Sequence, residues 1–174
     1  MSGIEFGRLI EPTSEIAATM GRWENDAELV PFIRHSANKE ESEKRAILTL
    51  DDIHKRLQTN QIYLIYAEGR LIGEMSYQID PPHCYHKVKG TAWIGIHIGD
   101  KSAHHKGIGQ RAMEYLEKEI GNKGLKRIEL GVFEFNENAR RLYLKLGYKE
   151  IGRIDDFTYW NGKMWQDIRM EKLL

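Results

Sequence analysis

Ile98-Gly99-Asp100-Lys101-Ser102-Ala103-His104-His105-Lys106-Gly107-Ile108-Gly109-Gln110 is the stretch whose reading decides the fold. It carries a strand into a helix through two glycines two residues apart. Upstream, Thr91 to Ile98 alternates, with Ala92, Ile94, Ile96 and Ile98 on one apolar face. Downstream, Gly107 to Glu119 sets Ile108, Ala112, Tyr115, Leu116 and Glu119 at helical spacing, apolar through Leu116. The first turn of a helix has unpaired N–H groups and the positive end of the dipole, so it suits an anion. Gly107 and Gly109 keep side chains out of the way of a phosphate. Lys106, with His104 or His105 when protonated, adds positive charge. A P-loop would need Gly-Lys-Ser/Thr, and Gly109 is followed by Gln110-Arg111. The dinucleotide fingerprint would need a third glycine and a later acidic residue. Taken alone, Gly-x-Gly fits equally well a helix that packs tightly on a sheet.

Working outward, Leu125 to Phe133 reads as a strand and Asn136 to Leu146 as a helix with Ala139, Leu142, Tyr143 and Leu146 on one face. Gly147 stands where a left-handed residue ends that helix. Two late strands, about Tyr148 to Thr158 and Lys163 to Leu173, are joined through Trp160-Asn161-Gly162, a strong hairpin signal. On the N-terminal side, Gln61 to Ala67 meets Arg70 to Tyr77 across Glu68-Gly69, and Asp80-Pro81-Pro82-His83 breaks the second strand. Further upstream, Ile4 to Ile10 reads as a strand. Thr13 or Ser14 caps a helix to about Asn25, Ala27 to His35 continues as a short helix, and Leu50 to Leu57 is a helix capped by Thr49 or Asp51. Ser36 to Lys44 carries no clear period and reads as loop or helix end. The order implies one mixed α/β (α+β) domain over residues 1–174.

Composition narrows the class. Acidic and basic residues balance at 26 each, so there is no global field to attract a nucleic-acid backbone. One cysteine, Cys84, excludes an internal disulfide framework and suits a reducing cytosol. Met1-Ser2-Gly3-Ile4-Glu5 lacks the basic start and apolar run of a signal peptide, and no apolar run approaches the roughly 20 residues of a membrane span. A cytoplasmic protein without nucleic-acid or membrane partners is expected. His83-Cys84-Tyr85-His86 offers metal-ligating side chains but lacks paired zinc spacing, so a solvent-facing loop and no metal are expected.

Ala92 to Gly109 followed by Asn136 to Gly147 resembles the GNAT N-acetyltransferases, most of all the branch of ribosomal-protein and polyamine acetyltransferases. The family's Gln/Arg-x-x-Gly-x-Gly/Ala turn reads here His104-His105-Lys106-Gly107-Ile108-Gly109. Its Asn-x-x-Ala-x-x-x-Tyr-x-x-x-Gly-Phe/Tyr segment reads Asn136 to Tyr148, with Ala139 and Tyr143 in register. The resemblance implies a mixed central sheet of about seven strands, splayed at the cofactor site and flanked by about four helices. It implies acetyl-CoA as co-substrate, with backbone groups of Ile96, His97 and Ile98 on the pantetheine arm. Amides of His104, His105, Lys106, Gly107, Ile108 and Gly109, extending to Gln110, would lie on the pyrophosphate. Asn136 and Ala139 would adjoin the arm, and Tyr143 would protonate the departing thiolate, a step a phenol can perform. The plainer reading of Tyr143 is a core aromatic at helical spacing.

Two departures stand out. His104 replaces the family's Gln or Arg, and Trp93 stands where many relatives carry a glutamate that helps deprotonate the amine. Glu74, His97 and Glu134, or a water chain, are then the candidates for the base. The acceptor is expected to be a protein N-terminus, a polyamine or another small amine. It is expected against Trp23-Glu24-Asn25-Asp26, Asp155-Asp156, Tyr159, Trp160 and Trp165, where carboxylates and aromatic faces suit a cation. The alternatives are a non-catalytic acetyl-CoA sensor, which the missing glutamate allows, and a nucleotide-binding regulator. A homodimer through the terminal hairpin or an exposed strand is open, with no patch that points to it.

Overall fold

A computed structural model describes residues 3–174. Strands β1 (Ile4–Arg8), β2 (Asn60–Ala67), β3 (Arg70–Ile79), β4 (Thr91–Ile98), β5 (Arg127–Phe133), β6 (Lys149–Trp160) and β7 (Lys163–Leu173) form one sheet in the order β1-β2-β3-β4-β5-β7-β6. All neighbours are antiparallel except β4 and β5. That parallel pair follows from the helix between them, since a parallel return needs a crossover. Helices α1 (Ser14–Trp23), α4 (Leu50–Leu57), α5 (Ile108–Asn122) and α6 (Glu137–Lys145) are the four longer ones. Two short helices, α2 (Val30–Ile33) and α3 (Lys39–Glu43), lie between α1 and α4. The last corrects the aperiodic reading of Ser36 to Lys44. Asn38 caps α3 by accepting from Glu41 N, a signal that a search for apolar period passes over.

Local chemistry accounts for the element ends. Thr13 caps α1, and Thr49 with Asp52 forms a capping box on α4. Glu68 and Gly69 both have positive φ, 51° and 75°, as a two-residue hairpin turn requires; Asn161 and Gly162 repeat this at 49° and 85°. No helix among the described residues is long and apolar enough to cross a membrane.

The sheet is covered on both faces. Ile108, Ala112, Met113, Leu116 and Ile120 of α5 and Tyr143 of α6 pack on Ala92 and Ile94 of β4 and Ile128, Leu130 and Val132 of β5. The opposite face of β2, through Ile62 and Leu64, meets Ala17, Met20 and Trp23 of α1 and Ile53 of α4. Trp23 closes over the end of β4, because a Cβ built on Gly99 would overlap its indole. Gly99→Ala is therefore expected to cost about 1–3 kcal/mol by overpacking, seen as a lower urea midpoint with an unchanged m-value.

Candidate active site

The site begins where β4 and β5 separate. Their parallel ladder holds only Thr91↔Arg127, Ala92↔Ile128 and Trp93↔Glu129. Beyond it each strand runs on alone, β4 to Ile98 and β5 to Phe133, so the facing edges lack a strand partner. A cleft of about 560 Å3 opens there. Its lining comes from both faces of the sheet. Ile94, Ile96 and Val132, with Asn136, Ala139 and Tyr143 of α6, lie on the α5/α6 side. Glu74, Ser76, Trp93, Gly95 and His97 of β3 and β4 lie on the other.

Of the residues singled out in the sequence, the fold brings Ile96, His97, Asn136, Ala139, Tyr143 and Glu74 together on this cleft. Ile98 and the turn of His104 to Gln110 do not line it; they continue from the far end of β4 into α5. There His105 (φ 59°) and Gly107 (φ 73°) are both left-handed, and no side chain caps α5. Gly107 is needed for its backbone conformation, since a Cβ there would meet open space. Gly109 faces Leu142 Cδ2 of α6, 3.4 Å from where its Cβ would stand. The turn thus leaves amides unanswered by side chains. His104 ties the turn to β4, with its Nε2 2.7 Å from the Ile98 carbonyl oxygen. Gln110 is occupied too, donating to Glu114 and accepting from Lys145.

Asn136 caps α6 by accepting from Ala139 N at 3.4 Å, which places it at the cleft as a consequence of starting the helix. Tyr143 is 8% exposed, and burial alone pushes its phenol up to about 12. It therefore keeps its proton at neutral pH.

On the opposite face, Glu74 accepts from Arg56 through both oxygens, at 3.0 and 3.3 Å. His97, its register partner, stands with Nδ1 3.9 Å from Glu74 Oε1 and edge-on to the Trp23 ring. Glu134 is not on the cleft; it pairs with Gln166 through its backbone N–H and Oε2. The residues expected to meet the acceptor are divided between places. Asp26 pairs with Lys101, while Glu24, Asn25, Tyr159 and Trp160 line a separate cavity of about 510 Å3. The cleft wall on this side includes Phe32, His35, Phe157, Asp167 and Arg169. Phe157 reaches it because β6 carries a bulge between Ile154 and Thr158, which re-aims the side chain. In the His83–His86 loop, Cys84 is buried rather than solvent-facing, while both histidines are exposed.

The sequence profile of the acetyltransferase (GNAT) family matches residues 21–148. The chain belongs to that family. A probable spermine N(1)-acetyltransferase from Bacillus subtilis subsp. natto is 32% identical over 92 residues, spanning 52% of this chain and 60% of that relative. Among solved structures, an N-acetyltransferase from Staphylococcus aureus Mu50 superposes with a TM-score of 0.76 at 20% identity, covering 99% of both chains. The spermidine N-acetyltransferase from Vibrio cholerae, solved with CoA and spermine, gives 0.75 at 16% identity, covering 99% of this chain and 96% of that one. At these identities the structures establish a shared fold.

Burial holds the imidazole of His97 below its ordinary value of 6.5, with Glu74 opposing and Arg56 reinforcing the shift. The unfolded chain then takes up this proton first, so the stability it represents is lost as pH falls below about 6.5. His97→Asn should lose less stability than the parent between about pH 6.5 and 5, as measured by urea unfolding at a series of pH values.

Proposed function

We propose that this chain transfers the acetyl group of acetyl-CoA to a primary amine by direct attack. The observation that carries the reading is the cleft itself. It passes between β4 and β5, and it has the buried phenol of Tyr143 on one face and polar side chains on the other.

The residues fit the co-substrate. Within the turn from His104 to Gly109 the His104 amide already donates to the Lys101 carbonyl, so the amides after it would hold the pyrophosphate, as an anion at a helix N-terminus. From there the unpaired edge of β4, Ile98 back to Ile94, would bond the pantetheine arm as an added strand does. Asn136 and Ala139 would border the arm. Acetyl-CoA supplies an acetyl group already activated as a thioester. A backbone N–H of β4 would polarise its carbonyl, and Tyr143, protonated at neutral pH, would donate to the departing sulfur. His97 stays neutral through burial and, with Glu74 fixed by Arg56, would form the wall against the acceptor. The names of the relatives suggest a polyamine among the possible primary amines.

Tyr143→Phe tests this reading. Turnover should fall about 10²-fold in a free-thiol assay, while the rise in Tm caused by CoA persists. Absence of that rise in the parent protein, or no thiol release with any of a panel of amines, would reject acetyl transfer.

A further inference from the structure

Asp167 has no part in the reading above, yet it lines the cleft and its carboxylate lies two residues past the last β4–β5 pair. The last β4–β5 pair is Trp93↔Glu129, so Gly95 and Gly131, two residues on, flank the first open step. A Cβ on Gly131 would lie 2.5 Å from Asp167 Oδ2, which places the carboxylate directly against that bare stretch of β5. Asp167 is 3% exposed and lines the cleft. Arg169 donates to it from Nε at 2.6 Å and lays its guanidinium 4.7 Å from the Trp93 ring centroid. One guanidinium thus links β7 to β4 beside the point where β4 and β5 part.

Glu74 and His97, the base candidates on this face named from the sequence, stand further from that point. His97 is four residues beyond Trp93, roughly 13 Å along the strand, and Glu74 pairs with it in register. Both oxygens of Glu74 are engaged by Arg56. A cofactor that runs down β4 from the turn after Ile98 would bring its thioester end toward the level of Gly131 and the Asp167 carboxylate.

We propose that Asp167 receives the amino group of the acceptor and takes its ammonium proton. The N–H bond breaks with its electron pair left on nitrogen, and the proton joins a carboxylate oxygen. The amine becomes nucleophilic and Asp167 neutral, until water removes the proton. The groups that face Asp167 are Arg169 on its own strand and His35 from the segment after α2, with His83 beyond Arg169. Phe133 is its register partner on β5 and Ile154 on β6. Burial raises the proton affinity of the carboxyl, against the opposing charges of Arg169 and His35. This assignment rests on the acetyl-transfer reading.

The test is Asp167→Asn, with kcat/KM followed across pH for a peptide α-amine and an alkylamine, whose pKa values are about 7.8 and 10.4. At pH 7 the variant should be slower by about 10²-fold or more. Above the pKa of each amine the substrate is already neutral, so the deficit should shrink, and at a pH that tracks the amine. The CoA-induced rise in Tm should be unchanged. A deficit that stays constant with pH, or shrinks at the same pH for both amines, would overturn the assignment and leave acetyl transfer standing. No turnover of any amine by the parent protein would instead remove both. Should Asp167→Asn fail to fold, the double variant Asp167→Leu/Arg169→Met removes both buried charges together, a change such sites often tolerate, and gives the same pH readout.

Discussion

The cleft depends on a parallel ladder of three residue pairs that stops. What pins the ladder is a buried ion network at its base. Arg127 donates to Glu171, Glu129 and the hydroxyl of Thr91, and Glu129, which is wholly buried, also accepts from the amides of Tyr85 and His86. Three strands and the loop between β3 and β4 are thereby held at one point. Buried ion pairs recover little net energy against their desolvation cost, but removal of one member leaves a charge with no answer. Their contribution here is position. They decide where β4 and β5 are joined, and hence where they are free to part.

Past that point, packing replaces pairing. The α5/α6 side holds Ile94, Ile96, Val132 and Tyr143 in a continuous apolar core, so a polar atom there must be satisfied locally or by a ligand. The other side collects charge in compensated pairs, Arg56 with Glu74 and Arg169 with Asp167, beside Phe133, Phe157 and Trp93. One opening therefore joins two environments. One suits a long, thin ligand bound through backbone amides. The other suits a polar acceptor that must exchange a proton.

The glycines divide between these tasks for separate reasons. Gly107 permits a left-handed turn before α5, whereas Gly99 and Gly131 permit close approach, by the Trp23 indole and by the Asp167 carboxylate. The sequence reading gave Gly107 and Gly109 a single role, clearance for a phosphate. In the structure Gly109 also faces α6, where a Cβ would stand 3.4 Å from Leu142 Cδ2.

Much of the fold was legible from local pattern. Alternation marked Thr91–Ile98, the Asn-Gly turn marked a strand from about Lys163 to Leu173, and Glu-Gly with Thr caps set other element ends. Tyr143 and Asn136 could be placed together because they share one helix. Asp167, Arg169, Phe157, His35 and Arg56 could not, since β7, the β6 bulge, the segment after α2 and helix α4 that carry them are far apart in sequence. The signal for the first two was present: charged residues two apart on a strand whose other face is Ile168 and Met170. Alternation tells which residues share a face, but not what that face meets. Periodicity, capping and turn chemistry act over a few residues and are written in the chain. The cleft arises from strand pairing and its termination between segments far apart in sequence, and only the assembled sheet determines that.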